Sequence, residues 1–313
     1  MSFKATLDAF TLLDSAKVTG DDVVAALKAL GAENVTSTTI QGPRGSTDFV
    51  KIVIPGSKGR SSGGDAPTLG VIGRLGGIGA RPEMIGFVSD GDGAAAAVAV
   101  AMKLARMAAD GDVLPGDVIC ATHICPDAPT QPHDPVPFMG SPVDMAAMNK
   151  HEVDPAMDAI LSIDTTKGNR IINHRGFAIS PTVKDGWILR VSEDLLGIMS
   201  ITTGQLPVTF PITMQDITPY GNGVYHINSI LQPATATSAP VVGVAITTQT
   251  PVPGCGTGAS HLVDVEECVR FVIETAKAFG AGKCRFYDED EYATLVKLYG
   301  EMKHLKTLGS QAQ

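Results

Sequence analysis

Four groups of residues have types and spacings that could do chemistry. Ser89-Asp90-Gly91-Asp92-Gly93 sets two acids at i and i+2 in a glycine turn. One of them can serve as the N-cap of the helix that follows, which contributes about 0.5–2 kcal/mol. Two exceed what one cap requires, and a cation would relieve their repulsion. A second group, His123, Cys125, Asp127, His133 and Asp134, lies among prolines. Imidazole, thiolate and carboxylate are the ligands zinc takes, although this spacing matches no closed structural zinc motif. The bland alternative is a rigid proline loop holding a buried cysteine and a surface histidine. Asp127 is also suited to general-base work, because a loop carboxylate in a partly dry cleft has a raised pKa.

Arg74 ends an apolar run within Ile72-Gly73-Arg74-Leu75-Gly76-Gly77-Ile78-Gly79. An arginine there forms an ion pair with Asp90 or Asp164, or offers its fork to a substrate carboxylate. The glycines permit close backbone approach, but no helix opens directly after them, as a nucleotide loop requires. The fourth candidate is Cys255, in Pro253-Gly254-Cys255-Gly256-Thr257-Gly258. It is a nucleophile or ligand on one reading, and a small buried side chain on the other. His261 can equally cap a helix, and His174 and His226 read as structural.

These groups need elements to position them. Residues 68–73, 85–88, 118–122 and 159–163 are short apolar runs of buried-strand type. The runs deliver Arg74, Asp90, His123 and Asp164 just past their ends. Residues 94–108 are an unbroken helix-forming segment, so strand, acidic turn, helix and strand make a right-handed crossover of a parallel sheet. Polar residues beyond the carboxyl ends of such strands are where open α/β sheets place their sites. Before this unit, residues 5–16 and 21–30 predict helices, and 35–40 and 49–54 predict a strand pair. After it, 189–203 predict a helix and turn, 208–214 and 241–247 strands, 266–279 a final amphipathic helix, and 288–308 polar turns. The expected architecture is α/β: a mixed, mostly parallel central sheet with helices on both faces. It forms one domain over 1–313, with 1–67 its helix–strand N-terminal portion.

The 313 residues are 44% hydrophobic and 18% charged, as in ordinary globular proteins. A net charge of −9 without any Lys/Arg run argues against nucleic acid and anionic membranes as partners. The first residues lack a secretory pattern, and five cysteines form no C-x-x-C pair. Together these predict a reducing, cytoplasmic setting. The longest apolar stretch, 94–102, is too short to span a bilayer.

The order of these elements resembles the co-catalytic zinc aminopeptidases of the self-compartmentalising and glutamyl type. Arg74 stands in the first ligand strand, Asp90 at the bridging aspartate, Asp164 at the later ligand strand, and Asp264-Val265-Glu266 at the start of the last helix. The chain also looks like a member of a bacterial family catalogued only as a domain of unknown function. The resemblance implies an amide-bond hydrolase acting on a peptide or small acylated compound. It implies zinc or another divalent ion held by Asp90, Asp164, His123 and Asp92. Asp127 would activate water, Arg74 would orient an anionic group, and the chain would be a homo-oligomer. The departures are specific. Arg74 and Gly76 replace the first histidine and aspartate, and the Glu-Glu pair is reduced to Asp127. Arg74 then supplies positive charge in place of a metal. Two rival readings follow: a binding or assembly protein that lost the metal, and a metal-free enzyme using Cys255 or Cys125.

Overall fold

The computed structural model describes residues 1–43, 45–74, 87–125, 130–131, 138–214, 224–252 and 258–307. Two helices open the chain, α1 (Ser2–Leu13) and α2 (Gly20–Lys28). A capping box starts α2: Thr19 Oγ1 accepts the Asp22 N–H, and the Asp22 carboxylate accepts the Thr19 N–H at 2.8 Å. Such a reciprocal pair satisfies two otherwise orphaned donors. A hairpin follows, β1 (Asn34–Gly42) against β2 (Gly45–Ile54). Next come β3 (Leu69–Gly73), α3 (Asp92–Ala109) and β4 (Val118–Ile124). A small pair, β5 (Thr130–Gln131) and β6 (Phe138–Met139), precedes α4 (Met145–Glu152) and β7 (Ala159–Thr166). The remainder is β8 (Gly176–Ile179), β9 (Val183–Lys184), β10 (Trp187–Ile188), α5 (Glu193–Thr203), β11 (Val241–Thr247), α6 (Leu262–Gly280) and α7 (Glu289–Tyr299).

The main sheet runs β1-β2-β4-β3-β7-β11-β9-β10, with β8 also on β11. Its centre, β4-β3-β7-β11, is parallel, and antiparallel strands flank it on both sides. This is a mixed α/β sheet, and its buried central strands are the continuous apolar runs that the sequence shows. α3 lies on one face of the sheet beside α6, with α1 packed over both. Its alanines explain the fit: from Ala94 to Met102 every side chain is buried, and small ones let three helices and a sheet approach closely. The other face carries α4 and a 3₁₀ turn, Ser229–Thr235. No described helix is long and apolar enough to cross a membrane.

Three expectations change. No strand forms over 208–214, where only Thr209 bridges to Ile179. Phe210, Ile212 and Met214 are buried with the alternation of a strand, but Pro207 and Pro211 remove the donors a ladder needs. The helix expected from 189 starts only at Glu193, where Ser192 caps it by accepting the Leu195 N–H at 3.2 Å. Nor is α6 the last helix: the acids at 288–291 form the cap and first turn of α7, where Asp288 accepts the Glu291 N–H at 2.9 Å.

Candidate functional site

Sheet register puts three of the expected residues in one row. Gly73 pairs with Ile163, so Arg74 is level with Asp164 on the neighbouring strand. Ile72 pairs with Ala121, which makes Arg74 level with His123 on the other side. Side chains in such a row point to the same face, about 5 Å apart. Arg74, His123 and Asp164 are 2%, 3% and 3% exposed, so the row is a buried polar layer at the carboxyl ends of the strands.

The roof of this layer is α4. Asp144 caps it, accepting the Ala147 N–H at 2.8 Å, and Met148, Asn149 and Glu152 are its buried residues. Asn149 and Glu152, three apart, project together toward the sheet. Glu152 is fully buried and binds two row members: the Arg74 guanidinium donates to Glu152 Oε2, and His123 Nδ1 lies 2.6 Å from Glu152 Oε1. Arg74 Nη2 also donates to Asn149 Oδ1 at 3.1 Å. Arg74 Nε–H is buried and finds no hydrogen-bond partner among the described residues. Phe49 closes one side, with its ring 5.5 Å from that of His123 and stacked on His151 at 4.7 Å.

Asp164 differs from its neighbours. Its one described hydrogen bond comes from the Thr165 N–H, at 2.7 Å. Burial pushes its carboxyl up to about 7, against the pull of that N–H and of Arg74, and the charges of Asp90 and Glu152 push the same way. An arginine beside an aspartate ordinarily lowers its pKa. It does pull downward, but desolvation wins.

A second cluster lies on the opposite face, where α3 begins. Asp92 Oδ2 accepts from Lys167 Nζ at 2.5 Å, and Asp92 Oδ1 accepts from Ser260 Oγ at 2.5 Å. Lys167 and Asp92 have side chains 2% and 0% exposed. Burial raises the Asp92 carboxyl while Lys167 and Ser260 pull it down. Nearby, His261 Nδ1 is 3.5 Å from Asp264 at the start of α6.

Of the residues singled out from sequence, Arg74, His123 and Asp164 therefore come together, and Asp90 acts on Asp164 through its charge. Asp92 belongs to the other cluster. The expected ion pair of Arg74 with Asp90 or Asp164 is instead a pair with Glu152. Cys125 is buried and donates to the Ser46 carbonyl at 3.6 Å. Asp127, His133, Asp134 and Cys255 lie outside the described residues. Sequence reading missed Glu152, Asn149, Lys167 and Ser260. The signal for Glu152 is an acid three residues after an asparagine in a short helix, and for Lys167 a lysine directly beyond a buried strand.

The described donors fit a divalent ion poorly. Among the described residues no three His, Cys, Asp or Glu side chains converge to hold one. Glu152 is taken by Arg74 and His123, and Asp92 by Lys167 and Ser260.

The family model described as a protein of unknown function (DUF1177) matches residues 38–309. A comparison with curated proteins finds no match. Among solved structures, the LapA aminopeptidase of Legionella pneumophila is similar at 10% identity, over 90% of this chain and 70% of that one, with a TM-score of 0.49. The glutaminyl cyclase of Porphyromonas gingivalis is similar at 11% identity, over 87% and 95% of the two chains, with a TM-score of 0.48.

Proposed function

The chain belongs to the DUF1177 family, and for it we propose hydrolysis of an amide bond in a peptide-like or small acylated compound, with Asp164 as the base and Arg74 as the carbonyl's hydrogen-bond donor. The observation that carries this reading is the row itself. A buried aspartate with one described hydrogen bond stands level with a buried arginine whose Nε–H has no partner among the described residues. In the proposed step, water oxygen attacks the amide carbon while Asp164 takes its proton. The carbonyl oxygen gains charge and accepts from Arg74 Nε–H, an interaction that strengthens as the charge develops. Asp164 then returns the proton to the leaving nitrogen, the C–N bond breaks, and acid and amine depart. A carboxyl titrating near neutrality suits both halves of that exchange. Glu152 holds the guanidinium in place, and Phe49 and α4 exclude water.

The sequence expectation put the base at Asp127. That residue and Cys255 lie outside the described residues, and the scheme assigns them no step. No step is routed through a metal, since the described donors do not fit one. The non-catalytic binding reading draws support from one observation, the commitment of Arg74 to Glu152 and Asn149.

The deciding experiment is hydrolysis of a panel of dipeptides and N-acyl amino acids followed by mass spectrometry. Turnover should fall about 10²-fold or more in Asp164→Asn. Full turnover in that variant would refute the role of Asp164. Calorimetric binding of panel members without hydrolysis by the wild type would favour the binding reading.

A further inference from the structure

Both buried clusters repeat one arrangement. A carboxylate that could ligate a cation is closed by a side chain of this same chain carrying a positive charge. Glu152 is closed by Arg74, with side chains 0% and 3% exposed, and Asp92 by Lys167, at 0% and 2%. The remaining oxygens are also used. Glu152 Oε1 meets His123 Nδ1 at 2.6 Å, and Asp92 Oδ1 accepts from Ser260 at 2.5 Å. Burying an ion pair is costly, and a cation site left open at a strand end would need neither lysine nor arginine. A guanidinium cannot lose its proton or coordinate a metal. An ammonium bonded to a buried carboxylate likewise occupies the place a divalent ion would take.

We infer that Arg74 and Lys167 are resident cations of the two clusters, and that the protein holds its fold and its site without a divalent metal. Lys167 is thereby assigned a role as the positioning residue for Asp92 and, through it, for Ser260 and the start of α3. The inference concerns the same site as the proposed hydrolysis, but it is tested without substrate, so either can fail alone.

The test measures metal content and melting temperature on full-length protein purified without chelator from zinc- and manganese-supplemented cells. The wild type should carry only trace metal, and its melting temperature should be unmoved by EDTA or by added zinc or manganese. Lys167→Met and Arg74→Met each strip a carboxylate of its cation. Each should melt several degrees lower, and zinc or manganese should restore part of the loss in a manner EDTA reverses. If a single substitution prevents folding, the neutral pair Lys167→Met/Asp92→Asn should fold and show no metal response. Near-stoichiometric metal in the wild type, with a melting temperature that EDTA lowers, would overturn the inference. So would variants, folded but destabilised, that no divalent ion rescues.

Discussion

Replacing Asp164 by asparagine should stabilise the protein at high pH and leave it nearly unchanged at low pH. The sign follows from the direction of the shift. In the unfolded chain the carboxyl titrates at its ordinary 3.8, and in the fold at about 7. Below 3.8 both states are protonated and Asp164 carries no penalty. As pH rises from 3.8 to 7 the unfolded state releases its proton and the folded state does not, so folding loses stability throughout this window. Above 7 the penalty is complete, at about 4 kcal/mol from the usual 1.36 kcal/mol per pKa unit. The group is 3% exposed, so solvent screening removes little of that figure. The asparagine side chain would keep the acceptor for the Thr165 N–H and never ionise. Its new N–H groups need acceptors, and the nearby acids are the available ones, which trims the gain to roughly 2–4 kcal/mol. For a chain of this size that is about 4–8 °C in melting temperature. The assay is thermal melting of both proteins at about pH 4, near the bottom of the window, and at about pH 8, above the folded-state titration, in matched ionic strength. A difference of the same size at both values would refute the argument, and a variant less stable at the higher pH would mean that Asp164 is ionised in the fold.

Three further outcomes are expected. Gly93→Ala should destabilise by about 2 kcal/mol in urea unfolding, despite alanine's better helix propensity. The new Cβ would meet the Arg74 carbonyl oxygen at 2.6 Å and the Ile163 carbonyl oxygen at 2.7 Å, both backbone atoms that cannot swing aside. Glu152→Gln leaves the Arg74 guanidinium buried without its counter-charge and should cost about 3–5 kcal/mol by the same assay. Light scattering at micromolar concentration should give a mass above the 32.5 kDa monomer, an expectation that rests on sequence alone: the stretch 129–142 is rich in proline and carries Phe138 and Met139, a composition ill suited to a monomer's surface.

Much of this was legible from local pattern. The buried strands carrying Arg74, His123 and Asp164 are apolar runs, and the alanine-rich helix announces itself by composition. Rows across a sheet were not legible, because register depends on pairings between strands distant in sequence. Nothing local says that Arg74 is level with both His123 and Asp164. Glu152 was missed for a related reason. Its helix is only 8 residues long, with too little apolar periodicity to show which face turns inward. The raised pKa of Asp164 was not legible either, because sequence reveals a neighbouring charge more readily than the depth of burial that outweighs it.

The two clusters are joined through one strand. Along β7 the side chains alternate between faces, so Ser162 and Asp164 point toward α4 and the 3₁₀ turn, where Ser162 Oγ donates to the Ile230 carbonyl at 2.5 Å. Thr165 and Lys167 point the other way, where Thr165 Oγ1 donates to the Ser89 carbonyl at 2.8 Å and Lys167 reaches Asp92. The same strand end therefore sends an acid to one chamber and a cation to the other. A slip of one residue would turn each to the opposite face, taking Asp164 out of the Arg74 row and Lys167 away from Asp92, and leaving both partners buried without their counter-charges. Gly168 guards against that slip: its φ is 52°, and a Cβ there would lie 2.2 Å from the Thr250 carbonyl oxygen. The chain can leave β7 at this point only with a glycine. Charge placement at the site and strand register are thus a single constraint, set by alternation along β7 and fixed where the strand ends.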